Sequence, residues 1–279
     1  EMWKVYKATR KNGHEPVSLW LLDYGLMKQK ERNKKQRRNY LQHIFNMLQL
    51  QMKYQNKSVL YIREISPISK KLGFASERVW TPLSHEKKFS RDEALYITQG
   101  IARSMKELHQ NSHTAFLRIS PDNIFLTSHF TLKFGLFLDA VQFKSENSSF
   151  SLPFCPWTPN SAFHLPAKYC APEIVRGNNI APKADVYMFG LTSLFVFTGK
   201  DPSNATSVND MDINQPLEAC NDLPPEFANL IKKCLSESES SRPDFASIVN
   251  DNAFSSLICD IFKYVEIINT KSNRDLFNF

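Results

Sequence analysis

The hydrophobic period of this chain changes near Trp80, and that change limits the folds open to it. Before Trp80 the apolar residues fall in short β-prone runs. "WKVYKATR" and "VSLWLLD" flank the turn-like "KNGHEP", and "SVLYIREIS" and "KLGFASE" follow. One stretch among them has helical spacing, with Leu41, Ile44, Phe45, Leu48 and Met52 expected to face inward. After Trp80 the period is mostly helical. "SRDEALYITQGIARSMKELHQ" opens with Ser90 and Glu93 in capping-box spacing and carries Leu95, Ile101, Ala102, Met105 and Leu108 as its stripe. "NIFLT" and "TLKFG" read as hairpin strands joined by "SHF". "ADVYMFGLTSLFVFT" reads as a buried helix. "LPPEFANLIKKCLS" reads as a helix entered through Pro225, with Phe227, Leu230, Ile231, Cys234 and Leu235 inward. The pattern predicts an α+β, bilobal chain over residues 1–279: a small β-rich lobe with one helix at 1–79 and a larger helical lobe at 80–279.

A chain of 279 residues can bury a shared core of this kind, and 42% hydrophobic with 23% charged residues excludes disorder throughout. Eight glycines disfavour a design of repeated phosphate-binding loops. Five cysteines (Cys155, Cys170, Cys220, Cys234, Cys259), odd in number and without C-x-x-C, disfavour a zinc site or disulfide framework and fit a reducing cytosol. No secretory leader is visible, and the longest apolar run, Val186 to Gly199, is too short to span a bilayer. A cytoplasmic location is expected. His109 and His113 stand four apart without a third ligand nearby, so a surface or helix-terminus role is expected of them.

The net charge of +7 is uneven. Residues 1–80 hold 17 Lys/Arg against 6 Asp/Glu, and the remainder holds 18 against 22. The excess concentrates in "KQKERNKKQRR", which contains Lys28, Lys30, Arg32, Lys34, Lys35, Arg37 and Arg38. One reading is a solvated loop ahead of the helix. The other is a docking surface for anionic lipid headgroups, inositol phosphates or an acidic peptide. No aromatic residue interleaves the run, which argues against nucleic acid as a partner.

Four segments then occur in a telling order: "YCAPEIV" (Tyr169 to Val175), "ADVYMFG" with Asp185 twelve residues after Glu173, "TGKDP" and "SRPDF". They resemble the A-P-E, D-x-W-S-x-G and late R-P segments of protein kinases. The resemblance implies the bilobal kinase fold, a buried ion pair between Glu173 and Arg242, and Asp185 opening the central helix. It also locates positions that depart from the family. Setting "SPDN" on the catalytic-loop K-P-E-N puts Arg118 at the catalytic Asp and Ser120 at the phosphate-contacting Lys. Leu136 falls on the Asp of D-F-G, with Asp139 three residues out of register. Asn123 keeps the second metal position, or else makes a turn hydrogen bond. "VSLW" on V-A-I-K puts Trp20 at the phosphate-gripping Lys, and no Asp or Glu lies between Arg32 and Arg63 to supply its helix partner.

From these departures the chain is expected to be no enzyme: a pseudokinase with no metal and no cofactor. The stretch "LPFCPWTPNSAFHLPAKYCAPEIV" (Leu152 to Val175) resembles the SCYL pseudokinases. That family resemblance implies a cytosolic scaffold at Golgi, endosomal or coated-vesicle membranes, recruiting clathrin, adaptor or SNARE-type proteins. Two alternatives stay open: an atypical kinase with residual or metal-free ATP binding, and an anionic-lipid module built on the basic run.

Overall fold

Alternating, β-branched and aromatic runs at the start of the chain pair into one twisted sheet. In the computed structural model β1 (Trp3–Thr9) and β2 (Pro16–Leu22) form a hairpin with Trp3 opposite Leu22 and Thr9 opposite Pro16. After α1 (Tyr24–Lys30) and α2 (Lys34–Gln51), β3 (Ile62–Ile68) and β4 (Lys71–Glu77) complete the sheet. The strand order is β1-β2-β4-β3, antiparallel throughout. The structure describes residues 3–30, 33–54, 56–68, 71–86, 88–127, 131–145, 148–150, 167–176, 180–205, 210, 212–256 and 259–261.

Two local expectations change here. The small lobe carries two helices rather than one, because part of the basic run is itself helical. Asp23 starts α1 by accepting from the Leu26 amide and pairing with Lys4 at 2.8 Å, and Met27 buries the inner side. The inner stripe of α2 is Tyr40, Ile44, Leu48 and Gln51, while Met52 is the exposed C-cap at 36%. Asn33 sets this phase by capping the helix through the Lys35 and Gln36 amides. The stripe therefore ends on a buried amide, where a methionine was expected.

The second lobe begins with β5 (Thr81–Pro82) and α3 (Arg91–Ser112), whose capping box is complete. Ser90 Oγ accepts from the Glu93 amide, and Glu93 accepts from the Ser90 amide at 2.7 Å. Short strands follow: β6 (Thr114–Ala115), β7 (Ile124–Leu126), β8 (Leu132–Phe134) and β9 (Val141–Gln142). β7 lies between β5 and β8, and β6 pairs with β9. Then come α4 (Pro172–Arg176), α5 (Ala184–Thr198), α6 (Asn214–Ala219), α7 (Pro225–Cys234) and α8 (Phe245–Val249). α5 is buried on nearly every side, as an apolar sequence without a polar face must be, and α3, α7 and α8 pack into the same core. The described cysteines, Cys170, Cys220, Cys234 and Cys259, are free and buried in it. No helix among the described residues is long and apolar enough to cross a membrane.

Candidate functional site between the lobes

The loop from Phe116 to Asn123 enters the cleft in a strained conformation. Leu117 has φ 55°, the left-handed region that a branched side chain occupies at a cost of about 1–2 kcal/mol. Asp185, in the first turn of α5 and fully buried, holds it there. Its carboxylate accepts from the Phe116 amide at 2.7 Å and the Leu117 amide at 2.6 Å. A third donor, His109 Nε2, approaches the same carboxylate at 2.9 Å. His109 is thus a buried residue of the last turn of α3: of the surface or helix-terminus role expected of it the second holds, and the carboxylate supplies a partner that sequence spacing could not reveal. His113 caps the same helix with φ 45°.

The strained turn sends Arg118 across to Asp139, Nε to Oδ2 at 2.5 Å. Burial works against the guanidinium charge, but Asp139 and then Tyr40 outweigh it and leave its pKa raised. A cation at the position the kinase resemblance assigns to the catalytic base is therefore neutralised by the acid of the neighbouring turn. Ser120 is buried, and its carbonyl accepts from the Asn123 amide at 3.0 Å. Cys170 also lies close, its thiol pushed well above the usual range by burial.

Asn123 knits this loop to the turn after β8. Its Nδ2 donates to the carbonyls of Arg118 and Leu136, and its Oδ1 accepts from the Leu136 amide at 2.9 Å. Gly135 is required for this closeness, since a Cβ there would lie 2.3 Å from Asn123 Oδ1. Leu136, 4% exposed, packs with Trp20, Phe125 and Leu138 in the small-lobe core. These residues do not fit a bound Mg²⁺, which demands oxygen ligands. Leu136 offers none, the Asn123 amide is committed to the backbone, and Asp139 is paired with Arg118.

Trp20 forms the roof. It is 3% exposed, stacked on Phe74 (centroids 5.3 Å, planes 10° apart) and edge-on to Phe125 at 5.2 Å. Its indole N–H donates to Ser76 Oγ at 2.8 Å, so the polar edge is satisfied inside the lobe.

Sequence reasoning missed two residues of α2. Gln51 Nε2 donates to the Leu60 and Gly135 carbonyls, each at 2.9 Å, and its Oε1 accepts from the Phe137 amide at 3.1 Å. His43 Nε2 meets the Leu138 carbonyl at 2.7 Å. A signal for Gln51 was present: it is the one amide on the inward-facing stripe of α2.

Below the cleft, Glu173 and Arg242 form a bidentate pair at 2.5 and 2.9 Å, with the guanidinium over Tyr187. Arg242 also donates to the Ser236, Lys183 and Glu237 carbonyls, so all five of its N–H groups are used in a site where it is 1% exposed. Lys28 is exposed on α1, and Lys34, Lys35 and Arg38 are exposed on the opening turns of α2, with Arg37 half-buried beside them. Lys34 stands at the opposite end of that helix from Gln51, roughly 25 Å away along its axis. Lys30 closes α1, and Arg32 lies outside the described residues, as do 151–166 and hence most of the Pro- and Trp-bearing stretch ahead of A-P-E.

Comparison with known proteins fits this geometry. The family described as "Protein kinase domain" matches residues 4–254. Protein kinase-like protein SCY1 of Saccharomyces cerevisiae is 23% identical across the whole chain, which covers 40% of that protein. A putative serine/threonine-protein kinase/receptor (R831) of Acanthamoeba polyphaga mimivirus is 32% identical over 56% of the chain and 9% of its own length. Human tyrosine-protein kinase FRK is 25% identical over 56% of the chain and 30% of its own length. The chain thus spans less than half the length of each of these relatives. These likenesses correct the expectation that the chain is no enzyme: relatives over much of its length are named as serine/threonine and tyrosine kinases, and substitutions at single motif positions do not outweigh that kinship. With a bilobal fold, a buried A-P-E ion pair and a family match over most of its length, this chain belongs to the protein kinase family.

Proposed function

We propose that this kinase-fold domain acts as a protein-interaction scaffold in vesicle traffic. The observation behind the reading is the aromatic plug between the lobes, where Trp20 stacks on Phe74 and meets Phe125 over a buried Leu136. Rings and aliphatic groups occupy positions that the kinase resemblance gives to the groups gripping a triphosphate. A rigid plug keeps the relation of the two lobes fixed, which suits a surface read by partners. The 23% identity to the protein kinase-like protein SCY1 across the whole chain supports only the kinase-like kinship, and the trafficking setting rests on the SCYL resemblance. It makes clathrin, adaptor and SNARE-type proteins the first partners to test, at Golgi, endosomal or coated-vesicle membranes. The role does not depend on whether the domain also transfers phosphate.

The test pairs two measurements on the purified chain. Binding to clathrin terminal domain and to adaptor appendage domains is expected in the micromolar range, unchanged by millimolar MgATP. Melting with and without MgATP is expected to coincide. Ligand at a hundred times its Kd stabilises by about 2.7 kcal/mol, a rise of several degrees for a chain of this size. Such a rise together with partner release would overturn the plug, and absence of binding to either partner class would remove the trafficking setting.

The kinases among the relatives favour a second reading, phosphoryl transfer by an atypical centre in which Arg118 supplies the cation. Radiolabel transfer lost in Arg118→Ala supports it, and none from the rigorously purified wild-type chain ends it. The exposed Lys28, Lys34, Lys35 and Arg38 favour a membrane contact alongside the scaffold role. Each basic residue near an anionic bilayer contributes about 1 kcal/mol. Flotation with phosphoinositide vesicles is expected to weaken with salt and with Gln at these four positions. Unchanged flotation in that variant would refute the contact.

A further inference from the structure

Helix α2 lacks the charge that commonly anchors the corresponding helix of a kinase. No Asp or Glu occurs between Arg32 and Arg63, and β2 presents Trp20 in place of a lysine. The helix is nevertheless tied to the backbone of the turn Gly135–Leu138 at two places. Near its middle, His43 Nε2 meets the Leu138 carbonyl at 2.7 Å. At its last residue, the Gln51 side chain bonds in both directions, donating to the Gly135 carbonyl and accepting from the Phe137 amide. The second N–H of the same amide reaches the Leu60 carbonyl and so fixes the chain that leaves the helix.

The spacing matters. His43 and Gln51 are eight residues apart, a little over two turns, so they lie on neighbouring rows of one side of the helix. Ile44 and Leu48, both fully buried, lie between them. The polar contacts therefore bracket an apolar strip and set its register against the turn. The Gln51 amide has two N–H donors and one carbonyl, and every one is used, which is what permits its burial to 1% exposure. All the partners are main-chain groups. They are present whatever the chain has bound, and an amide–backbone bond is insensitive to salt and to modification of side chains elsewhere. The turn is braced from the other side by Asn123, which takes the Leu136 amide and carbonyl.

The geometry points to Gln51 and His43 as positioning residues that hold α2 against the 135–138 turn, making the docked helix the resting state of this chain without nucleotide, metal or a phosphorylated residue. This inference rests on the contacts of α2 and stands whether or not the scaffold reading holds.

Hydrogen exchange read by mass spectrometry on peptides covering 40–52 and 132–140 tests it. In the wild-type chain the Phe137 and Leu136 amides are expected to be protected to the same degree with and without MgATP. Gln51→Met keeps the side-chain length and removes the three bonds, and is expected to speed exchange across 135–138 on the order of ten- to a hundred-fold. His43→Leu removes the bond to the Leu138 carbonyl from a half-buried site and is expected to give a smaller acceleration, about three- to ten-fold. It decides the matter if Gln51→Met does not fold. Ile231→Val in α7 serves as a control that loosens the distant core and is expected to leave the 135–138 peptides unchanged. Wild-type exchange at 135–138 in Gln51→Met, or in His43→Leu where the first does not fold, would overturn the inference. So would protection in the wild-type chain that rises only when MgATP is added.

Discussion

Replacing Asp185 by Asn probes the joint on which the whole catalytic-loop region depends. The carboxylate is fully buried and accepts three hydrogen bonds, two of them from the consecutive amides of Phe116 and Leu117. An asparagine keeps one oxygen. Its best placement puts that oxygen where Oδ2 meets Phe116 and His109, and then the new NH2 faces the Leu117 N–H, donor against donor. The loss is a charge-assisted bond of about 1.5–3 kcal/mol plus an orphaned buried N–H of about 1–3 kcal/mol. Against this, Leu117 is freed from its left-handed conformation, returning about 1–2 kcal/mol as the loop relaxes. The net expectation is a loss of about 2–4 kcal/mol, or roughly 5–15 °C in Tm for a chain of this size. Equilibrium urea unfolding followed by circular dichroism and tryptophan fluorescence measures it, with the midpoint falling and the slope unchanged. A loss below about 0.5 kcal/mol would mean that the two amides find other partners and that Asp185 does not hold the strained turn.

Three further outcomes are expected. Arg242→Met and Glu173→Leu each leave an uncompensated buried charge and cost about 3–5 kcal/mol, whereas the double variant loses well under their sum; additive losses in urea would show that the pair is not coupled. Gly135→Ala drives a methyl to 2.3 Å from Asn123 Oδ1 and 2.7 Å from Phe125, for a loss of about 1–3 kcal/mol in the same assay; wild-type stability would mean that the turn has room to give. The Ser90 amide, and then its hydroxyl, hold the Glu93 carboxyl below its usual 4.5. A depressed acid contributes stability above its unfolded pKa and loses it as pH falls through the lower folded value. The Tm gap between the wild-type chain and Glu93→Ala should therefore be present at pH 7 and shrink below about pH 4, and a gap independent of pH would place the effect elsewhere.

The fold was legible because its signals are local and redundant. Period-two runs mark β1, β2 and β4, and the Ser90–Glu93 box marks the start of α3. The apolar run from Ala184 reads as α5 because a helix without a polar side has to be buried. What escaped was local too. Helix α1 is short, and it runs into the basic stretch through Lys28 and Lys30, so composition spoke for a loop. Its existence depends on the Asp23 cap and on burial of Met27, and the second of these is a tertiary fact.

The site was legible at single positions and hidden in its pairings. Trp20, Arg118, Leu136, Glu173, Asp185 and Arg242 could all be singled out by their place in ordered motifs. Glu173 and Arg242 could also be paired, through the kinase resemblance; the partners of the others could not, because each contact crosses chain distances that carry no periodic signal. Asp139 seemed out of register as a metal acid, yet it meets Arg118 across 21 residues. Gln51 reaches Gly135 across 84 and Phe137 across 86. His109, spaced from His113 as metal ligands can be, belongs instead to a carboxylate 76 residues away. One physical rule connects these cases. A buried charge or amide is tolerated only with a partner, so a charge at an unexpected position implies a compensating group at another. Arg118 implies an acid, and Asp139 is that acid; the missing helix acid implies a neutral tether, and Gln51 is that tether. A motif position therefore carries more information when read together with the group that must neutralise or satisfy it than when scored alone.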